Sequence, residues 1–560
     1  MNRNRQFWRQ TFFILLVLLG MSLPLSRFTM SAFQIFLSVA WLLDGLSIEV
    51  IGRFFRKCNP IKAAFHTIKY IIDLLISNLI EKFKLFFHNK TALILASLFV
   101  LHLLGLIHTS DFEYALKDLR TKLPLILMPL MLASMPQLSR KQIHILLICY
   151  ILAVFGGTII SMSEYLKQDF EDIRKISKFI SPVRFSLNIA FSFFILSHLL
   201  IQPEFKKNWI RLIMLTLMVW FIVILVLLES GIGIMSILLV GFGYFGLKII
   251  RAGSLYFRIA SGILFLAIPI SSVWYVDSQI NSMIKAPKID FSKLEKYTPL
   301  GEKYLHDTIN FGLEDGKYTG IYMATNEMAD AWNKRSSIPF LGRDKANQLI
   351  QYTLIRYLTS KDLRKDAGGV NSLTEKDIHL IEKGIANINY VENPSIRTRI
   401  SKILVGYQQY SDLHDPNGSS VMQRFEHWKA SKLIIKEQFW FGVGTGDLPA
   451  IFKETYERTN SPLKSQWRWR SHNQYLSIWI AFGIFGAIWF LFVLIYPLII
   501  NKNYRGYLFP VFMTIIMLSM LTEDTIETQD GVTLYAFFTS LFALSIGVKD
   551  AENVENLPEN

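Results

Sequence analysis

The residues best suited to chemistry are concentrated between 423 and 475 of a 560-residue chain. Gln423, Arg424, Phe425, Glu426, His427 and Trp428 open the stretch, and Gly442-Val443-Gly444-Thr445-Gly446-Asp447 follows. Gln466-Trp467-Arg468-Trp469-Arg470-Ser471-His472-Asn473-Gln474-Tyr475 closes it, directly before an apolar run. These groups therefore lie against a membrane–water interface. An imidazole with an ordinary pKa near ~6.5 accepts a proton at neutral pH, so His472 is a candidate general base, a role worth about 10²–10⁴ in rate. A lone interfacial His also reads as a hydrogen-bonding loop residue. Arg468 and Arg470 alternate with Trp467 and Trp469. That pattern fits either an aromatic-belt anchor or a site for an anionic lipid headgroup, since guanidinium forks match phosphate oxygens.

Other candidates stand apart in sequence. Arg184, in Ser181-Pro182-Val183-Arg184-Phe185-Ser186, opens an apolar run and either snorkels to the interface or binds an anionic substrate. Glu523, Asp524 and Glu527 carry the same ambiguity at the end of another run. Gly442-x-Gly444-x-Gly446 reads as a helix-ending turn. A phosphate cradle would need the dinucleotide spacing or a following Lys-Ser/Thr, and neither is present, so no nucleotide cofactor is expected. His472 has no second His at i+3 or i+4 and no outward Asp-x-Asp pair accompanies it, so no metal site is expected.

The elements that position these residues are membrane helices. Hydrophobic residues make up 51% of the chain, charged residues only 18%, and 43 Phe bring aromatics to 14%. Long apolar runs such as 11–20 and 212–228 place it in the membrane class. About twelve spans are expected, centred near 11–26, 30–50, 91–108, 123–136, 142–162, 184–202, 210–228, 231–249, 258–275, 475–500, 507–522 and 531–547. The fourth is short and contains Pro124 and Pro129. The first reads as an uncleaved anchor, because no small-x-small cleavage site follows it. The formal net charge of +15 suggests a polyanion partner. Much of that charge falls on segments that alternation places in the cytoplasm, including Arg3, Arg5, Arg9, Arg53, Arg56, Lys57, Arg140, Lys141, Lys206, Lys207, Arg211, Arg251, Lys502 and Arg505. The positive-inside rule then puts both termini in the cytoplasm. Bases on the outward segments 109–122 and 163–183 break the pattern. The outward patch does not continue into a basic stripe, so nucleic acid is not a partner. Cys58 and Cys149 are the sole cysteines, which leaves no disulfide framework.

The expected fold is an all-α integral membrane protein with a large, mainly helical outward insertion before the last three spans. Residues 1–275 form the bundle of spans one to nine. Within them, the basic amphipathic segment 51–90 lies at the cytoplasmic lipid surface. Residues 276–474 are the outward domain that ends in the motif cluster, 475–547 are spans ten to twelve, and 548–560 are a cytoplasmic tail.

In order and spacing these pieces resemble the O-antigen ligase family of bacterial membrane glycosyltransferases. Arg184 opens a middle span, and Arg424-x-x-x-Trp428 lies in the large loop. Gly442-x-Gly444 follows in FGVGTGD. His472-Asn473-x-Tyr475-Leu476 stands before a span with Gly483-x-x-Gly486, and the acidic turn LTEDTIETQDGV (521–532) resembles the family's last inter-span segment. One departure is Ser230-Gly231, where the family often has Ser-Arg; Arg468 or Arg470 could substitute. Segment 51–90 has no counterpart. The resemblance implies an inner-membrane enzyme with a periplasmic loop. Its donor would be an undecaprenyl-diphosphate-linked glycan and its acceptor a hydroxyl of lipid A–core, joined in an inverting, metal-independent transfer. His472 would be catalytic. Arg184, Arg424, Arg468 and Arg470 would bind the donor diphosphate, with Trp428, Asn473, Tyr475, Gly442, Gly444 and Glu523 in support. An O-antigen or exopolysaccharide polymerase and a protein O-oligosaccharyltransferase use the same donor, and motifs separate them poorly. A polysaccharide transporter or flippase would call for charges within spans and paired broken helices, and a scaffold would leave His472 free to change.

Overall fold

The computed structural model describes residues 2–44, 61–167, 176–250, 253–285, 288–392, 395–500 and 506–545. Arg53, Arg56, Lys57, Cys58, Arg251, Lys502, Arg505 and the 548–560 tail lie outside the described residues. A helix stands at each expected apolar run: Asn2–Ser22, Arg27–Leu43, Lys90–Leu104, Pro124–Ser134, Arg140–Leu166, Pro182–Leu200, Asn208–Leu227, Gly231–Ile250, Leu255–Ile284, Gln474–Ile499, Leu508–Met520 and Gln529–Leu544. Among the described residues, six helices are long and apolar enough to cross a bilayer: Lys90–His108, Arg140–Leu166, Pro182–Leu200, Asn208–Leu227, Leu255–Ile284 and Gln474–Ile499.

Two of the others fall short for identifiable reasons. The 11 residues of Pro124–Ser134 rise only about 16 Å at ~1.5 Å each, against a hydrocarbon core of ~30 Å. Gln529–Leu544 has 16 residues and is buried almost throughout, so it serves as bundle core. The Ile61–His88 helix covers much of the amphipathic segment. Lys82 joins it to the bundle, donating to the Trp41 carbonyl and pairing with Asp44 at 3.4 Å.

Contacts divide the chain into two compact units, one drawn from 1–241 and 422–560, the other from 242–421. Residues 422–475 thus fold with the first unit. Its core is aromatic: the Phe538 ring lies 4.9 Å from Phe191, 5.0 Å from Tyr150 and 5.3 Å from Phe512. Tyr150 satisfies its buried hydroxyl by donating to Asn188 Oδ1 at 2.8 Å, as a polar group in an apolar core must. The second unit packs around Trp332, Leu354, Tyr357, Leu358 and Ile381. It also carries a two-stranded hairpin, Leu313–Glu314 with Lys317–Tyr318.

One span is discontinuous. Gly483 leaves helical geometry within Gln474–Ile499, at φ 65° and ψ −169°. Backbone groups freed inside an apolar layer need partners, and the glycine-rich loop supplies them. The Val443 and Gly444 amides donate to the Ile480 and Ala481 carbonyls, each at 2.9 Å, and the Ile484 amide donates to Phe439 O at 2.9 Å. Gly442 and Gly444 adopt φ of 72° and 91°. This confirms the turn reading of these glycines. The loop continues onto the end of the 90–108 helix. Thr445 Oγ1 donates to His102 O at 2.7 Å, and Asp447 accepts from the Ser110 and Asp111 amides at 2.9 and 2.8 Å.

A Cβ at Gly483 would sit 2.0 Å from Trp440 O, whereas one at Gly156 meets nothing within 4 Å. Gly483→Ala is therefore expected to destabilise the detergent-solubilised protein by about 2–4 kcal/mol in thermal or denaturant unfolding, with Gly156→Ala near neutral. Equal behaviour of the two variants would contradict the interlock.

Candidate functional site

The site is built where four segments of the first unit meet the 521–528 turn. The Pro182–Leu200 helix, capped by Ser181, brings Arg184. The Ser420–Glu437 helix brings Arg424 and, three and four residues on, His427 and Trp428 from its first turns. Asn473 caps the Gln474–Ile499 helix by accepting from the Leu476 amide at 3.1 Å, which fixes His472 immediately before it. The fourth segment, Phe112–Lys122, contributes Asp118 and Lys122.

Glu523 is the focus of the cationic groups. Its Oε1 accepts from Arg424 Nη2 at 2.7 Å, and His472 Nδ1 lies 3.7 Å from its Oε2. Burial disfavours charge on Glu523. The approach of His472 and the charges of Arg184 and Arg424 outweigh that cost and hold the carboxyl below the usual carboxylate range. Arg184 does not snorkel. It is 4% exposed, and its Nη2 donates to Asp524 O at 2.9 Å. Gly531 leaves the room it needs, since a Cβ there would stand 2.9 Å from Arg184 Nε.

Asp524 sets the backbone of His472. This residue occupies the left-handed region at φ 47°, a costly conformation for a residue with a Cβ. Asp524 Oδ2 accepts from its amide at 3.2 Å, while Oδ1 accepts from Ser477 Oγ at 2.6 Å and Ser471 Oγ at 3.3 Å. The His472 side chain remains about one-third exposed. Against it lies His427, with ring centroids 5.2 Å apart. Burial lowers the pKa of His427 to about 4, so it is neutral, and its Nε2 donates to Trp467 O at 3.0 Å.

Beside this group lies a buried ionic network. Glu527 Oε2 accepts from Lys122 Nζ at 2.8 Å and Arg470 Nη1 at 3.0 Å, and Lys122 also pairs with Asp118 at 2.6 Å. Gln474 Nε2 donates to Glu527 Oε1 at 2.9 Å. Burial opposes the Glu527 charge, but Lys122 and Arg470 overcome it and hold the carboxyl far below its ordinary value.

The sequence candidates therefore separate into groups. Arg184, Arg424, His472, Asn473 and Glu523 come together at the 521–528 turn. Trp428, one turn beyond Arg424, has a buried Nε1; Arg184 Nη1 and Arg424 Nε are also buried, and all three lack a hydrogen-bond partner among the described residues. Arg470 belongs to the Glu527 network. Arg468 donates to the Leu463 carbonyl at 3.0 Å and to Ser461 O at 3.4 Å, closing its own loop. Tyr475 reaches Met517 O at 3.0 Å, and Gly442 and Gly444 serve the Gly483 interlock. Lys122 and Asp118 are not among the sequence candidates, although segment 109–122 carries bases against the positive-inside pattern, and Gln474 stands in the cluster with no role assigned to it. Among the described residues no group of three or more His, Cys, Asp or Glu is arranged to hold a metal.

Residues 383–491 match a family model described as O-Antigen ligase, a stretch that includes Arg424, Trp428, Gly442, Gly444, His472, Asn473 and Tyr475. The match supports the O-antigen ligase family. No curated protein sequence matches the chain.

Removing one partner of a buried ionic network leaves uncompensated charge, which typically costs about 3–5 kcal/mol. Lys122→Met is expected to destabilise by about that amount in chemical unfolding. The depressed pKa of Glu527 gives a stability contribution present above the unfolded Glu value of ~4.3 and lost as pH falls through the folded value. Glu527→Gln is therefore expected to flatten the decline of unfolding free energy between neutral pH and pH ~3. An unchanged slope would show that Glu527 carries no such linkage.

Proposed function

We propose, from the O-antigen ligase match over residues 383–491, that this protein is an O-antigen ligase. It would transfer O-antigen polysaccharide from undecaprenyl diphosphate to a sugar hydroxyl of lipid A–core at the periplasmic face of the bacterial inner membrane. The observation that carries the reading is the Arg424–Glu523–His472 arrangement, with Arg184 hydrogen-bonded to the same 521–528 turn and buried, unpartnered donors on Arg184, Arg424 and Trp428.

The chemistry follows from those groups. A sugar hydroxyl is a weak nucleophile and needs a positioned base. His472 with its Nδ1 proton toward Glu523 leaves Nε2 free to take the hydroxyl proton, the carboxylate orienting the imidazole and stabilising the imidazolium. The acceptor oxygen bonds to the anomeric carbon as the bond from that carbon to the diphosphate oxygen breaks. The electron pair leaves on the lipid diphosphate, and a single displacement inverts the anomeric centre. Arg184 and Arg424 would take up the charge that grows on the leaving group. The donor is already activated, so the step needs no nucleotide. We assign Arg468 and Arg470 to shaping the loop, on the strength of their hydrogen bonds to Leu463, Ser461 and Glu527.

A deletion strain is expected to display lipopolysaccharide without O-antigen while long polymer accumulates on the lipid carrier. Arg424→Ala at equal expression should reproduce that pattern, and Arg424→Lys should recover it only in part, because a point charge lacks the bidentate fork. Single-unit caps on lipopolysaccharide would mark a polymerase instead, donor trapped in the cytoplasmic leaflet would mark a flippase, and wild-type banding from Arg424→Ala would remove that residue's role.

A further inference from the structure

Gln474 is the open position of His472-Asn473-x-Tyr475, and the family resemblance gives it no role. A long polar side chain at the start of an apolar helix ordinarily reaches toward water. This one is fully buried, and both ends of its amide are used. Its Oε1 accepts from the Ile526 amide at 2.9 Å, and its Nε2 donates to Glu527 Oε1 at 2.9 Å. The two bonds fix each other, because a backbone amide only donates and an ionised carboxylate only accepts. An apolar side chain of similar length would leave the buried Ile526 amide and a Glu527 oxygen short of a partner, a loss that desolvated groups feel in full.

The neighbours of Gln474 show what these bonds hold. Asn473 Nδ2 donates to Leu521 O at 2.9 Å, and the His472 amide donates to Asp524 Oδ2 at 3.2 Å. Gln474 takes the same turn at 526 and 527. Three consecutive residues thus tie the acidic turn at its start, middle and end, and Glu523 lies within the tied span. Both ends of that span are anchored in their own right. Asn473 is fixed as the cap of its helix, and Glu527 is gripped on its other oxygen by Lys122 and Arg470. Gln474 joins that gripped carboxylate to the helix that His472 precedes.

The register of the turn matters because the central pair is finely spaced. His472 Nδ1 and Glu523 Oε2 are 3.7 Å apart, about 0.8 Å beyond an ordinary N–H···O length. A shift of the turn by that amount either closes the pair or separates it. Misplacement of a reacting group by about 1 Å costs as much as about 10²-fold in rate. We propose that Gln474 is a positioning residue for glycan transfer, holding Ile526 and Glu527 so that the Glu523 carboxylate meets His472. Gln474 is enclosed by protein, so it acts through Glu523 and not on a substrate. The chemistry of this assignment rests on the glycan-transfer reading above, whereas the coupling of Gln474 to His472 does not.

A double-mutant cycle on the purified full-length protein, assayed in proteoliposomes with labelled lipid-linked glycan and lipid A–core, tests this. Gln474→Met should lower kcat at least about tenfold and leave the acceptor KM within about twofold. In a Glu523→Gln background the same change should move kcat by less than about twofold, since the group it positions is already gone. Gln474→Asn keeps the amide but is one methylene shorter. It should show a smaller loss with the same lack of additivity, and it serves in place of Gln474→Met where that variant gives no folded protein. Carbethoxylation of His472 by diethyl pyrocarbonate, read by peptide mass spectrometry, needs no substrate. Its rate should rise about fivefold in Gln474→Met, the scale of one lost hydrogen bond, with no further rise over Glu523→Gln alone. Wild-type protein that transfers nothing yet shows this modification pattern would count against the glycan reading and support the coupling. Wild-type kcat from the Gln474 variants, losses that multiply across the cycle, or a His472 modification rate that they leave unmoved would each overturn the proposal.

Discussion

The carboxylates of the 521–528 turn organise this end of the first unit. Glu523 gathers Arg424 and His472, Asp524 holds the strained backbone of His472, and Glu527 closes a buried network with Lys122 and Arg470. Segments far apart in the chain arrive here through cations, amides and hydroxyls that these acids, or the Asp524 carbonyl in the case of Arg184, satisfy. Buried acids of this kind are costly unless fully paired, which ties the geometry of the basic residues to the turn.

A second constraint acts from within the membrane helices. The break at Gly483 exposes carbonyls that the Gly442–Gly444 loop must cover, and the same loop is fastened through Thr445 and Asp447 to the 90–111 segment. The loop leads from the helix that carries Arg424 toward the segment that carries His472. The interlock and the Arg424 and His472 contacts with Glu523 together constrain the spacing of the two groups. Glycine is needed at these positions because backbone approaches backbone there.

Much of this was readable in the residues. Apolar runs located the helices, and the order Arg184, Arg424, Trp428, His472, acidic turn located the cluster. Position alone left Arg184 between snorkelling and inward binding; the answer depended on Asp524 and Gly531, more than three hundred residues later in the chain. Arg468 and Arg470 looked alike in sequence but have different partners, because one faces its own loop and the other faces Glu527. Lys122 was hidden for a similar reason, since pairing with Asp118 at i+4 resembles an ordinary surface pair until burial is known. A helix stands at each expected run, yet among the described residues six are long and apolar enough to cross a bilayer, and apolar content does not reveal which helices contact lipid and which are buried by neighbours.

The most direct test is transfer by purified protein in proteoliposomes that contain labelled lipid-linked glycan and lipid A–core, with donor binding measured on the same samples. If His472 is the base that the Glu523 arrangement presents, His472→Ala should bind donor normally and form glycan–lipid A–core at least about 100-fold more slowly than wild type. Transfer by His472→Ala within a few-fold of wild type would contradict the account.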